Sequence, residues 1–393
     1  MTSPILLALP TNSRPSAGTG WRGEWFNLGE KDGSLNGNPL DVSLSGDELT
    51  LNPHNTPGTF HGTVSAETLI GDWGSHDPQK LTFHHVAPKD AFPVDPAPHK
   101  IRFVTAAPGV KLEVLDFGGN GRPLVFLAGL GKTAHNFDTL ALHFTGKHHV
   151  YAITRRGFGI SSAPPPTIEN YDSDRLADDV LAAIDALKLD RPVLAGHSVA
   201  GQEMSSIGMR HPEKVSGLIY LDAAFSNAFY NPRGGYTAQV EIDSMRRKLE
   251  VLPRGYSEHA DEIKDVLNDL PRLKAALERD LTLVEGSAPQ PPAARVTLQD
   301  HISDVMARGR HIYTGIKPPF LALIAQPVKC DVDCDTPAEK AWQRERVIQT
   351  DSVQADYPNA RIVRLPNADH YVFQSNEAEV EQQMNDFMDG LGR

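Results

Sequence analysis

Cysteine is nearly absent from this 393-residue chain, with only Cys330 and Cys334 present. That excludes a disulfide scaffold, though a single local bridge would suit an extracytoplasmic setting and two free thiols a cytoplasmic one. Basic charge is also in deficit: 38 Lys and Arg face 50 Asp and Glu, a formal net charge of −12. Non-specific nucleic-acid binding and adhesion to an anionic membrane surface both need basic patches, so neither is expected as the main activity. Long apolar runs are missing too. The run Ile5-Leu6-Leu7-Ala8-Leu9 lacks a basic flank and is too short to span a membrane, and residues 1–20 read as a disordered or processed tail. Together the run and the cysteine pair favour an extracytoplasmic location slightly over a cytoplasmic one. With 40% apolar residues, the chain can bury a large core and one smaller module.

Residues 21–87 alternate short apolar stretches with Gly, Thr and Asn turns, as in Asp41 to Leu44, Thr59 to Val64 and Lys80 to Phe83. They predict a small antiparallel β-module, with Ser45 to Thr50 and Ser65 to Ile70 as two copies of one hairpin turn. Trp21, Trp25 and Trp73 are expected to build its core rather than bind a ligand. Pro88, Pro93, Pro96 and Pro98 mark residues 88–100 as a stiff linker.

From 101 to 393 apolar strand-like runs alternate with amphipathic helical ones. The runs are Leu112 to Phe117, Leu124 to Leu127, Val150 to Thr154, Val193 to Ala195, Leu218 to Leu221, Phe320 to Ala325 and Ile362 to Leu365. Such alternation predicts an α/β fold with a mostly parallel sheet covered on both faces. Asp174 to Leu187 carries Leu176, Val180, Ile184 and Leu187 on one helical face, behind Asp172 and Ser173 as caps. The last helix is expected to start near Asn376. Residues 226–315 break the rhythm with the helical stretches Ala238 to Val251 and Asp261 to Glu278 and the loop Ser287 to Pro292, which predicts a lid over the sheet's carboxyl edge.

Gly196-His197-Ser198-Val199-Ala200-Gly201 follows one of these strands directly and opens a helix-compatible segment. A serine hydroxyl is a weak nucleophile unless a sharp turn holds it beside a base and an oxyanion site, and small flanking residues permit that turn. Ser198 is therefore the candidate nucleophile. Ala128-Gly129-Leu130-Gly131 follows an earlier strand, Arg156-Gly157-Phe158-Gly159-Ile160-Ser161 the next, and Asn367-Ala368-Asp369-His370 the last.

In the order and context of these four pieces, residues 101–393 resemble the α/β-hydrolase superfamily, in its serine-nucleophile, esterase-like branch. Ala128 stands where the superfamily often has His, Arg155 where Asp is common, and Ala200 where the elbow's second glycine usually lies. The resemblance implies His370 as base and the backbone N–H groups of Val199 and Leu130 as the oxyanion hole. For the acid, Asp222 after the run Leu218 to Leu221 is preferred, and Asp331, in a segment that also carries Asp333 and Asp335, is the alternative. Glu203, one turn beyond Ser198, is expected to brace the elbow.

The expected function is a serine hydrolase that cleaves a small-molecule carboxylic ester or lactone through a Ser-His-Asp triad and an acyl-enzyme. Two alternatives stay open. One is an aminopeptidase or amidase on the same triad, for which Glu258, Asp261 and Glu262 could hold a free amine. The other is a ligand-binding homologue without turnover. Haloalkane dehalogenase and epoxide hydrolase chemistry needs a carboxylate where Ser198 stands. Among 16 histidines, the adjacent pairs His84-His85 and His148-His149 make poor chelates. No zinc or iron spacing is seen, so neither a metal nor an organic cofactor is expected. No oligomeric state is read from the sequence.

Overall fold

The computed structural model describes residues 5–8, 21–27, 38–53, 59–65, 68–74, 79–84, 99–223, 228–229, 241–242, 245–246, 248–249, 260–285, 298–330 and 334–392. By its contacts the chain forms two units, one of residues 1–99 with 135–139, the other of residues 100–134 and 140–393.

The first unit is built on an antiparallel sheet of seven strands in chain order: β1 (Ile5–Ala8), β2 (Trp21–Asn27), β3 (Asn38–Ser45), β4 (Glu48–Pro53), β5 (Phe60–Val64), β6 (Thr68–Trp73) and β7 (Gln79–His84). Neighbours in sequence are neighbours in space because short turns can join antiparallel strands. Gly46 takes the positive φ of 63° at the β3–β4 turn, where a side chain would strain the backbone. At the matching β5–β6 turn the Ser65 backbone N–H and hydroxyl both donate to the Thr68 carbonyl. Val42, Leu49, Leu51, Phe60 and Leu69 form the core, and Trp73, Leu81 and Phe83 pack against it. Trp73 thus packs against the core, whereas the side chains of Trp21 and Trp25 lie outside the described residues. One expectation needs correction. Ile5–Ala8 belong not to a disordered tail but to strand β1, which pairs antiparallel with β2 over Ile5↔Asn27 to Ala8↔Glu24. A four-residue apolar run is too short to read alone, yet the free edge of β2 offers it a ladder of backbone hydrogen bonds. The proline-rich segment lies outside the described residues up to His99.

The second unit holds an eight-stranded sheet in the order β15-β14-β13-β12-β10-β11-β9-β8. Its strands are β8 (Lys100–Ala107), β9 (Val110–Gly118), β10 (Pro123–Leu127), β11 (His149–Ile153), β12 (Val193–His197), β13 (Gly217–Leu221), β14 (Phe320–Ala325) and β15 (Arg361–Leu365). All ladders from β11 through β10 to β15 are parallel, and only β9 runs antiparallel, to both β8 and β11. The central strands β12, β13 and β14 are buried at every residue, as expected of parallel strands covered on both faces.

Four helices frame this sheet. They are α1 (Ser173–Ala186), α2 (Ala200–Arg210), and, nearer the C-terminus, Pro337–Asp356 and Glu377–Gly390. Asp172 caps α1 by accepting from the Arg175 N–H at 2.8 Å, and Leu176, Val180, Ala183 and Ile184 are its buried stripe. The final helix begins after Asn376 and buries Val380, Met384 and Phe387.

Between β13 and β14 lie α3 (Ala260–Glu285) and α4 (Leu298–Arg308); the former extends the stretch expected from Asp261 to Glu278, and the latter was not anticipated. The stretch expected from Ala238 to Val251 is helical where it is described, and the loop Ser287 to Pro292 lies outside the described residues. Lys248 pairs with Asp269 at 2.7 Å and Arg272 with Glu241 at 3.5 Å, tying that stretch to α3. Ile242, Met245, Arg246, Leu249 and Leu273 line a cavity of about 340 Å³ between them. Beyond β14 the helices α5 (Pro337–Asp356) and α6 (Glu377–Gly390) follow. Among the described residues, no helix is long and apolar enough to cross a membrane.

Candidate active site

Strand register decides which residues can meet. Leu127 of β10 pairs with Gly196 of β12, His197 with Leu221 of β13, Leu221 with Leu323 of β14, and Ala325 with Leu365 of β15. The residues just beyond those pairs are Ala128 to Gly131, Ser198, Asp222 and Ala368 to His370. All therefore emerge at the same carboxyl edge of the parallel strands, where open α/β sheets bind ligands.

Ser198 sits between β12 and α2 with φ of 54°, a conformation rarely adopted by a residue with a side chain. Neighbouring size constraints permit it. A Cβ at Gly196 would come within 2.8 Å of the Met204 methyl and 3.0 Å of the Ala200 Cβ, so a side chain there would force Met204 to shift. Val199 leads into α2, whose first turn is sealed by Gly201 N–H donating to the Ser198 carbonyl at 3.0 Å.

Gly129 approaches the same turn from β10. A Cβ there would meet the His197 Nδ1 at 2.6 Å and the Ser198 Cβ at 3.3 Å, so its missing side chain lets the loop that carries Leu130 lie directly against Ser198. Arg155 fixes that loop from beneath, donating to the carbonyls of Ala128 at 2.8 Å and Gly129 at 3.4 Å. Arg155 also donates to Glu203 on α2. Both side chains are buried, and burial pushes the Glu203 carboxyl above its usual range against the pull of Arg155. The departure at Arg155 and the brace expected at Glu203 are thus one ion pair.

His370 donates through Nδ1–H to Oδ2 of Asp222 at 2.7 Å. This leaves Nε2 of the half-exposed ring as the proton acceptor. Asp222 is 1% exposed, and its other oxygen accepts from the Ala325 backbone N–H at 3.0 Å and from Arg346 at 2.7 Å. The carboxylate is therefore held in one orientation by three donors. The loop before His370 is pinned in turn: Tyr371 N–H donates to Asp369 at 2.7 Å, and Asp369 N–H to the Ser375 hydroxyl at 3.2 Å. Asp331 and Asp333 lie outside the described residues, while Asp335 is exposed and paired with Lys340. Cys330 and Cys334 form a disulfide.

His197 adds a second imidazole. Its Nε2–H donates to the His370 carbonyl at 2.9 Å, and its ring lies 4.6 Å from that of His370 and 4.7 Å from that of Tyr371. Burial first, and then the neighbouring His370, lower its pKa to about 4, so it works as a neutral donor. From the other side, Leu298, Ile302, Val305 and Met306 of α4 pack with Phe158, Tyr171 and Val199, so this helix walls the turn that carries Ser198. Sequence reading passed over Arg346, the partnership of Arg155 and this wall. The available signal for the second was a pair of opposite charges, Arg155 just after β11 and Glu203 in the first turn of α2.

Residues 124–383 match the family model described as the alpha/beta hydrolase family. The chain belongs to that family. Similar curated proteins include a serine hydrolase-like protein of Danio rerio, 25% identical over 216 residues, covering 53% of this chain and 66% of that protein. A bifunctional epoxide hydrolase of Mus musculus is 29% identical over 142 residues, covering 35% of this chain and 25% of that protein. This alpha/beta hydrolase thus spans less than two thirds of the length of either relative. Among solved structures, the E-2-(acetamidomethylene)succinate hydrolase aligns over 74% of this chain and all of its own, at 18% identity and a TM-score of 0.46.

Proposed function

We propose that this alpha/beta hydrolase cleaves small carboxylic esters or lactones by nucleophilic catalysis. Ser198 is the nucleophile, His370 the general base and acid, and Asp222 the acid that orients the imidazole. The observation that carries the reading is the 2.7 Å bond from His370 Nδ1 to buried Asp222, at the same strand edge as a serine held at φ of 54°. A serine in that position also separates this chain from carboxylate-nucleophile chemistry such as epoxide opening.

Ser198 Oγ attacks the acyl carbon while His370 Nε2 takes its proton, and Asp222 stabilises the imidazolium that forms. The carbonyl oxygen gains negative charge and is met by the N–H groups of Val199 and Leu130, a contribution of about 3–4 kcal/mol per donor in other hydrolases. Collapse breaks the bond to the alcohol oxygen, which receives the proton from His370 and leaves an acyl-Ser198. Water then attacks this ester with His370 as base, and a second collapse releases the acid and restores Ser198. In a lactone both products are one hydroxy acid.

The aminopeptidase alternative finds no support at Asp261, whose side chain is 93% exposed and pairs with Lys264 at 2.9 Å; Glu258 lies outside the described residues. Labelling by a fluorophosphonate, with p-nitrophenyl ester and lactone turnover, tests the proposal. Label and turnover are expected in the wild type and absent from a folded Ser198→Ala variant. Undiminished turnover in that variant would overturn the reading.

A further inference from the structure

The first unit gathers three side chains of metal-binding type that no step of the proposed hydrolysis uses. Among the described residues, His99, His135 and Asp138 form one group whose ligand atoms all lie within 4.8 Å of one another. His135 and Asp138 stand three residues apart, where the short turn Ala134–Phe137 runs into the helix Asp138–Leu142, so both project to one side. His99 comes from the residue before β8. His135 Nδ1 lies 3.0 Å from Asp138 Oδ2, His99 Nδ1 lies 3.5 Å from Asp138 Oδ1, and the two rings meet edge-on with centroids 5.3 Å apart. The side chains are only 1%, 8% and 3% exposed, in the order His99, His135, Asp138.

We propose that this triad is a zinc site, with one ring nitrogen from each histidine and one oxygen of Asp138 as ligands. Donors around a tetrahedral zinc ion at bond lengths near 2.0–2.2 Å stand about 3.4 Å apart. Each histidine already stands near that separation from one of the two Asp138 oxygens, and the three ligand atoms, within 4.8 Å of one another, must draw together to close on an ion. The donor chemistry selects the ion class. Two imidazoles and one carboxylate suit zinc and its first-row neighbours, whereas calcium and magnesium take sets of oxygen ligands. Zinc would also place a positive charge directly against the buried Asp138 carboxylate. Sequence reading expects no metal, because the chain shows no Cys, His and Asp spacing typical of zinc or iron and its adjacent histidine pairs make poor chelates. The site is made by the fold.

The test uses the full chain, stripped with a chelator, dialysed and titrated with zinc chloride by calorimetry, with bound zinc counted by elemental analysis. One equivalent per chain and a rise in melting temperature on zinc addition are expected in the wild type. His99→Gln and Asp138→Asn should each weaken binding by more than about 100-fold, beyond the loss typical of a supporting residue. His370→Gln should retain the full equivalent. Zinc retained equally by the two ligand variants, lost in His370→Gln, or never bound by the wild type would overturn the proposal. Should the ligand variants fail to fold, X-ray absorption on the zinc-loaded wild type decides. Two imidazole nitrogens and a carboxylate oxygen at about 2.0–2.2 Å support the site, and an all-oxygen shell sinks it.

Discussion

Arg346 sets a guanidinium nitrogen 2.7 Å from Oδ1 of Asp222, while Oδ2 of the same carboxylate holds His370 at 2.7 Å. One buried anion thus serves two cationic or cation-forming partners, and Arg346 fixes its orientation by also donating to the Ala325 carbonyl at 3.1 Å. Asp222→Asn should reduce ester turnover by about 10⁴-fold, as loss of the correct imidazole tautomer does in serine proteases. Asp331→Asn should cost far less. A larger loss at Asp331 in steady-state kinetics would move the acid to that position.

Arg346→Met should destabilise the fold by about 3–5 kcal/mol, because it leaves a buried carboxylate short of its cation. It should also lower kcat more than it raises KM, since Asp222 would lose a fixed orientation rather than a substrate contact. Urea unfolding and ester kinetics on the same preparation check both halves. Unchanged stability would mean that the pair is dispensable.

The Arg155–Glu203 pair predicts a coupled response. Arg155→Met and Glu203→Gln should each cost about 3–5 kcal/mol, and the double substitution clearly less than their sum, because neither leaves an unmatched charge once both are gone. Arg155→Met should in addition depress kcat, since the Ala128 and Gly129 carbonyls lose the donor that steadies the loop of Leu130. Additive stability losses in a double-mutant cycle would contradict the pairing.

Much of this arrangement was legible in the chain because local rules and the fold agree. The elbow around Ser198 announces itself by a strand, small residues and a helix, and Asp222 by ending an apolar run. Arg346 was not legible for the opposite reason. Among the described residues of α5 the buried ones are Arg346, Gln349, Thr350 and Val353, while Trp342, Val347 and Ile348 are exposed, so hydropathy points away from the face that matters. Helix α4 was missed because its stripe of Leu298, Ile302, Val305 and Met306 has meaning only against Phe158 and Tyr171, far back in the sequence. Strand β1 likewise exists only because β2 gives it a partner.

Removal of residues 1–95 should leave a folded domain that still hydrolyses small soluble esters, because each unit has its own core. Size-exclusion chromatography and turnover of a short-chain p-nitrophenyl ester check this. A monodisperse but inactive truncation would assign the β-module a part in the active site itself.

His197 predicts an acid limit on stability. The folded protein lowers its pKa from 6.5 to about 4, chiefly by burial, so between those values the unfolded chain binds the proton and the folded chain does not. Stability must then rise with pH through this window: the contribution of His197 is complete above about pH 6.5 and is lost progressively as the pH falls toward 4. A shift of that size corresponds to on the order of 3 kcal/mol. Replacing His197 by Gln, which keeps a donor for the His370 carbonyl but cannot titrate, should flatten the fall in unfolding free energy between pH 6.5 and 4.5. Urea midpoints measured across that range decide the matter. If the two proteins lose stability in parallel, the acid sensitivity lies elsewhere and His197 is not held as a buried neutral donor.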